Sequence, residues 1–257
     1  MRTPFAYIPI LLVCSLLLVA ACAQAPQPTA TARIIVVTAT APPASATSQP
    51  TPTSTPIPPT PIPPTPTEET VSGTPFEDWE LFEGDGFAVW LPKSFVGGSN
   101  AQDLADVVKV LRDSGQEQLA QSLEANLSYI KFYALDTTVN NPNNYFTNLN
   151  VILEQNAILN SWTAEDYVDL SLSQLNQMNG VEILDVLPFS IPGFEAYKLL
   201  AEYDMMVLMG IPGTARSSQY LLKNGDRVWV LTYFTSVEEY ADRSADFDAS
   251  AMSFTED

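Results

Sequence analysis

Residues 217–234 read Ser-Ser-Gln-Tyr-Leu-Leu-Lys-Asn-Gly-Asp-Arg-Val-Trp-Val-Leu-Thr-Tyr-Phe. Two runs rich in aromatic and aliphatic residues are separated here by Asn224-Gly225, the strongest short-range signal for a two-residue β-hairpin. Asparagine and glycine suit this turn because both of its central residues need a positive φ. The sequence therefore predicts two antiparallel strands, over 217–223 and 228–234.

Other elements of the second half of the chain surround this hairpin. Strand-like runs over 181–187 and 194–203 precede it and complete a four-strand meander. Before them, Thr163 opens a helix in a capping box, and Asn179-Gly180 ends that helix. A second capping box, over 236–239, opens a final helix.

The first half of the domain has shorter predicted elements. A strand over 87–91 stops at Pro92, and Asn100 caps a helix whose apolar residues recur at helical spacing. A second short helix follows, and strands are predicted over 129–135 and 148–155. The order is strand, two helices, two strands, helix, meander and helix. This order indicates the α+β class, an antiparallel β-sheet flanked by helices.

The composition excludes several classes of function. The chain has 257 residues with 11 Lys and Arg against 30 Asp and Glu, and its net charge is −19. Binding to a nucleic-acid backbone needs clustered basic residues, so nucleic acid is not an expected partner. The chain has no histidine, which removes Ser-His-Asp and Cys-His catalysis and imidazole metal ligands. No metal site and no cofactor are predicted.

The N-terminus has the layout of a secretory signal, with a positive end at Arg2 and an uncharged apolar run over 5–21. The run ends Val19-Ala20-Ala21-Cys22, which resembles the lipobox of bacterial lipoproteins. That resemblance implies a signal peptide over 1–21 and a diacylglycerol on the Cys22 sulfur. The protein would then be anchored on the extracytoplasmic face of the cell membrane. Ordinary cleavage at an A-x-A site and an uncut membrane anchor remain open as alternatives.

Residues 22–75 have a different composition from the rest of the chain. They hold about two-thirds of the prolines, many threonines, and no aromatic residue before Phe76. Such a segment does not bury enough apolar surface to offset the entropy lost on ordering. We therefore predict a disordered tether that carries one globular domain, residues 76–257, away from the membrane.

The domain carries a series of short motifs in a recognisable order. They are residues 86–92, the helix over 163–179, residues 191–196, 219–222 and 228–232, and the ending Phe247 with Ser253-Phe254. Together they resemble the PsbP-like fold, shared by an extrinsic protein of photosystem II and a nuclear-transport Ran-binding factor. The resemblance implies an α/β/α sandwich and a non-enzymatic scaffold that binds partners or ligands. The chain departs from it by a longer helical stretch between Lys93 and Ser128.

An apolar stretch between two strands of the meander is the best candidate for a binding surface. Residues 205–213 read Met-Met-Val-Leu-Met-Gly-Ile-Pro-Gly, and a methionine-rich apolar loop is an adaptable binding surface. The predicted partner-binding residues are Met205, Met206, Val207, Leu208, Met209 and Ile211. The other interpretation is that Met205–Met209 extends a strand into the core.

Two groups of carboxylates suggest other chemistry. Glu83 and Asp85 lie near a turn, and paired acids could serve a small hydrolase, although the alternative is simply a polar turn before a strand. Glu165, Asp166 and Asp169 share one helical turn and could seat a hard cation, although acids at a helix N-terminus also favour the helix dipole.

Together, these patterns predict an exported lipoprotein with a non-catalytic binding or accessory domain. Its expected partners are the lipid bilayer, through Cys22, and an unidentified protein or small ligand. A carboxylate-dependent hydrolase of the cell envelope and a purely structural envelope component are the alternatives.

Replacing Cys22 with Ser removes the thiol that would carry the lipid, so the protein should move from the membrane fraction to the soluble fraction. Cell fractionation followed by immunoblotting measures this. Cys14→Ser is the control, because Cys14 lies inside the predicted signal and its loss should leave membrane association unchanged. Membrane association that survives Cys22→Ser contradicts lipid anchoring.

Overall fold

The computed structural model describes residues 77–138 and 146–257. The predicted signal peptide, Cys22, the tether up to residue 75 and the loop over 140–144 lie outside the described residues.

The described part of the chain contains strands and helices in the predicted order, with additions. The strands are β1 (Trp79–Gly84), β2 (Phe87–Pro92), β3 (Phe95–Gly98), β4 (Phe132–Asp136), β5 (Asn148–Gln155), β6 (Val181–Phe189), β7 (Glu195–Asp204), β8 (Thr214–Asn224), β9 (Arg227–Ser236) and β10 (Thr255–Glu256). The helices are α1 (Ala101–Asp113), α2 (Glu117–Asn126), α3 (Ala164–Leu175), α4 (Met205–Met209) and α5 (Val237–Met252). A short 3₁₀ helix spans Ala157–Ser161.

Seven strands form one antiparallel sheet in the order β3-β4-β5-β9-β8-β7-β6, and β1-β2-β10 form a smaller one. The predicted meander is confirmed, because β6, β7, β8 and β9 are neighbours in sequence order. β5 pairs with the far side of β9, with Leu153 opposite Trp229. The long pairings of β9 on both sides place it at the centre of the large sheet.

The β8–β9 hairpin turns at Asn224-Gly225 as predicted. Asn224 pairs with Arg227, and Gly225 has a φ of 60°.

Alternate residues of β9 pack in different hydrophobic cores, one on each face of the large sheet. Val228 and Val230 pack with α1, α2 and α3, whereas Trp229, Leu231 and Tyr233 pack with β2 and α5. The large sheet is therefore buried on both faces, which confirms the predicted α+β class with helices on either side of the sheet.

The helices of the first face begin where the sequence places them. The Asn100 side chain accepts hydrogen bonds from the amides of Gln102 and Asp103, and Thr163 forms its capping box with Asp166. α3 ends at Leu175, earlier than predicted. The following residues turn without continuing the helix and lead to Gly180, whose φ is +82°.

The second face is covered by α5 and the small sheet. Phe87 of β2 stacks on Phe254 with ring centroids 5.5 Å apart. The amide of Trp90 donates to Ser253 Oγ over 2.9 Å, and Ser250 Oγ donates to the Trp90 carbonyl over 2.6 Å. These contacts join β2 to the end of α5 across 163 positions in the chain.

Glu256 of β10 fastens the C-terminal residues to the central hairpin. Its carboxylate accepts hydrogen bonds from Trp229 Nε1 at 2.6 Å and Asn224 Nδ2 at 2.9 Å. It also pairs with Arg227 Nε at 3.0 Å. A strand of only two residues is thereby held by a largely buried charge with three partners.

Several elements were not predicted, and each has a local reason. β1 lies at the edge of the small sheet and lacks a clean apolar alternation, while β3 has four residues and β10 two. The strand predicted over 129–135 starts only at Phe132, because the amide of Tyr129 donates to the Asn126 carbonyl in a turn after α2. The largest difference concerns 205–209, which form a helix.

Two ion pairs hold α5 against the sheet. Arg243 Nη2 lies 2.8 Å from Oδ2 of Asp136, which is fully buried in β4. Lys198 Nζ lies 2.6 Å from Asp248 Oδ1, and the Tyr220 hydroxyl donates to the same oxygen over 2.6 Å. Burial, followed by the hydrogen bond to Asp248, raises the pKa of Tyr220, which keeps the phenol protonated as the donor. These charges join elements of the domain to one another.

Arg243→Met should destabilise the domain by about 3–5 kcal/mol, because it leaves the Asp136 carboxylate buried without its cation. Chemical denaturation measures the free energy of unfolding. Arg112→Met in α1 is the matched control, since its pairs with Glu117 and Glu124 are half exposed and contribute little to stability. Equal losses from the two variants would show that the buried pair has no special weight.

Candidate binding surface

Residues Met205–Met209 form α4, a helix of five residues between β7 and β8. The Asp204 side chain accepts hydrogen bonds from the amides of Met206 at 2.9 Å and Val207 at 3.2 Å. Gly210 ends the helix in the left-handed conformation, with a φ of 70°. The sequence carries both signals, an aspartate before the helix and a glycine after it, so the helix was predictable from its caps.

Backbone hydrogen bonds fix α4 to the neighbouring chain. The Met205 amide donates to the Gly213 carbonyl at 3.0 Å, and the Ile211 amide donates to the Met205 carbonyl at 3.2 Å. On the other side, the Asp204 amide donates to the Gly180 carbonyl at 2.7 Å. The stretch is therefore anchored at both ends by the turns beside it.

Helical spacing divides the six predicted binding residues between two faces. Met205 is buried at 1% exposure, and Leu208, Met209 and Ile211 are half-buried against the same core as β7 and the end of α3. Met206 and Val207 point outward and are 53% and 57% exposed. Residues 205, 208 and 209 share a helix face at i, i+3 and i+4, which a strand alternation would not give. The core interpretation thus describes one face of the stretch and the surface interpretation the other.

The turn before β6 lies against the exposed face. A Cβ added at Gly180 would be 3.0 Å from Cβ and Cγ1 of Val207, and Gly180 has a φ of +82°. Glycine at this position permits both the turn and the close approach of Val207. The orientation of Val207 therefore depends on the loop between α3 and β6.

Two of the five carboxylates singled out in the sequence, Asp85 and Asp166, have structural contacts. Asp85 pairs with Lys131 at 3.1 Å. Asp166 accepts from the amide of Thr163 at 2.7 Å and from its hydroxyl at 2.8 Å, which lowers the pKa of Asp166. Within 77–138 and 146–257, no group of three or more His, Cys, Asp or Glu residues is arranged to hold a metal ion.

In the same two ranges, none of the helices has the length and apolar character required to cross a bilayer.

Comparison with known proteins gives similarities of fold. No protein-family model and no curated protein matches the chain. Solved structures do match, among them the cyanobacterial PsbP (CyanoP) of Synechocystis, which is 14% identical with a TM-score of 0.44. That alignment covers 76% of this chain and 99% of CyanoP.

Two further structural neighbours come from other organisms. LpqN of Mycobacterium tuberculosis, described as involved in cell envelope biogenesis, is 14% identical with a TM-score of 0.38, over 48% of this chain and 70% of LpqN. The yeast Ran-binding protein Mog1p is 9% identical with a TM-score of 0.36, over 68% of this chain and 95% of Mog1p. The neighbours thus include both protein types that the sequence resembles. At these identities and TM-scores they establish neither a ligand nor an activity.

Gly180→Ala should destabilise the domain more than Gly115→Ala, although both residues have a positive φ. The φ penalty of about 1–2 kcal/mol is common to the two variants, whereas only Gly180 would bring a Cβ against Val207. Around Gly115 nothing lies within 4 Å of the added Cβ. We expect a further loss of about 1 kcal/mol for Gly180→Ala by chemical denaturation. Equal losses would mean that Val207 moves freely and that the loop does not orient it.

Proposed function

We propose that the chain is an exported, membrane-anchored lipoprotein whose acidic domain is a non-catalytic binding or accessory module. The observation that carries the binding role is the exposure of Met206 and Val207 on a short helix that is held at both ends by caps and backbone hydrogen bonds. Leaving a large apolar side chain in water forgoes about 1.5–3 kcal/mol relative to burial. Contiguous exposed apolar surface marks interaction sites, and here two adjacent large apolar side chains face outward together.

The rigidity of α4 supports a role in recognition. Caps at Asp204 and Gly210 and the backbone bonds to Gly180 and Gly213 set the direction in which the two side chains point. A surface ordered before binding loses less conformational entropy when a partner arrives. Methionine adds adaptability, because its unbranched side chain fits contacts of different shape. We infer that a protein or ligand with an apolar face binds here.

The buried charges of the domain favour a binding module over an enzyme. Lys198 with Asp248 and Arg243 with Asp136 each join α5 to a strand. Their role in packing gives a sufficient reason for their burial. The lipobox-like sequence Val19-Ala20-Ala21-Cys22 supports the anchored location.

Met206→Asp together with Val207→Asp should abolish capture of the partner while changing the melting temperature little, because both side chains are already exposed. Capture is measured by cross-linking and pull-down from the native envelope. The matched control is Met252→Asp with Ile158→Asp, where the side chains are 52% and 51% exposed elsewhere on the domain. Met205→Asp should unfold the domain, since Met205 is buried. Capture that persists in the Met206 and Val207 variant, or is lost equally in the control, contradicts the assignment.

A further inference from the structure

A groove of about 310 Å³ lies on the large sheet, where β4 stops short of the end of β5. It is far from α4 along the strands. β8 begins at Thr214, opposite Asp204, and ends in the hairpin at Asn224, while the groove lies beside the hairpin end of β5. The residues lining it are Ser128, Tyr129, Lys131, Ile152, Leu153, Glu154 and Gln155.

The backbone of β5 is open at this groove. Pairing with β4 ends at Phe132 opposite Val151, whereas pairing with β9 continues to Gln155. The Lys131 amide donates to the Val151 carbonyl, and the Asn156 amide donates to the Asp226 carbonyl beside β9. Backbone groups alternate between the two neighbours along an antiparallel strand. Leu153 and Gln155, two and four residues after Val151, therefore present their amide and carbonyl groups to the side that β4 leaves vacant.

The side chains around this open edge include an acid without a cation. Glu154 is half-buried, and no hydrogen bond or ion pair joins its carboxylate to any residue in the described ranges. Burial raises the pKa of Glu154, because the charged form loses solvent with no partner in return. A cation placed in the groove would compensate for that loss.

Two other residues define what kind of cation fits. Tyr129 is 49% exposed at the edge of the groove, and an aromatic ring attracts an ammonium or guanidinium group. Lys131 carries the positive charge of the groove, and its ammonium lies 3.1 Å from Asp85. This pairing reduces the repulsion that Lys131 would exert on an incoming cation.

We propose that this groove binds an extended peptide segment that carries an arginine or lysine side chain. The peptide backbone pairs with Leu153 and Gln155 as a short added strand, and the basic side chain lies between Glu154 and the ring of Tyr129. The net charge of −19 raises the local concentration of basic partners around the domain. The groove is separate from the α4 surface, so each proposal stands or fails by itself.

The free edge of β6 is less suitable for such a peptide. The pairing of β6 with β7 shifts between Ile183 and Asp185, and Pro188 lies near the end of the strand. A bulge and a proline are features that protect an edge strand from added strands. β3, at the opposite edge, has only four residues.

The test is an NMR titration of the isotope-labelled full chain with the peptide acetyl-Thr-Val-Arg-Val-Thr-amide. We expect the amides of Leu153 and Gln155 to shift, and Glu154→Gln to weaken binding about tenfold or more. Glu182→Gln, an exposed glutamate on the β6 edge, is the matched control and should leave the dissociation constant unchanged. Tyr129→Phe should retain binding and Tyr129→Ala should lose most of it, because the ring provides the contact.

Two further probes separate a peptide from a free cation. The same peptide with glutamine in place of arginine should bind at least about tenfold more weakly. Agmatine, which has the guanidinium without the peptide backbone, should also bind more weakly. Equal affinity for agmatine and the peptide overturns the peptide assignment. Shifts confined to β6, or binding that Glu154→Gln leaves unchanged, overturn the proposal as a whole.

Discussion

The two-residue turn at Asn224-Gly225 is the constraint on which the rest of the domain depends. It sets the register of β8 against β9, and β9 also pairs with β5, so one turn fixes the centre of a seven-stranded sheet. A slip of one residue would exchange Val228 and Val230 with Trp229 and Leu231 between the two cores. The three helices on one face and α5 on the other pack on surfaces that exist only in the correct register.

Partly buried basic residues of the domain pair with acids on other elements. The chain is strongly acidic, yet Lys198, Arg216 and Arg243 each reach a carboxylate on a different element of the described domain. These pairs orient α5 and the neighbouring strands because leaving a buried charge without its partner is strongly destabilising. The Met206 and Val207 face of α4 and the groove at Glu154 differ from them. Met206 and Val207 face outward, and Glu154 has no cation beside it in the described ranges. These are the two places that we propose as binding surfaces.

Much of this fold follows from local signals, and the exceptions have physical causes. The hairpin, the meander and the Thr163 capping box were predictable, because turn and capping chemistry lies within a few residues. Ser236 caps α5 as expected, but the Glu239 side chain contacts Thr147 and Thr235, which only the folded sheet brings near. The α4 segment was predicted as a strand or a loop because the prediction followed its apolar run and did not use the capping residues Asp204 and Gly210. The groove was beyond prediction, since it arises from the unequal lengths of β4 and β5.

The junction of β2 with the end of α5 and β10 has a consequence for the order in which the domain folds. Trp90 is bonded to serines about 160 positions later, and β10 pairs with β2. Contacts this distant in sequence form slowly, because a long loop must close before they contribute any stability. The strands of the meander are neighbours in sequence, so the meander can assemble first. Trp229 and Asn224 are then already in position to donate hydrogen bonds to Glu256. We therefore expect the pairing of β10 with β2, and the contacts of Trp90 with the end of α5, to form last during folding and to open first when the protein is heated.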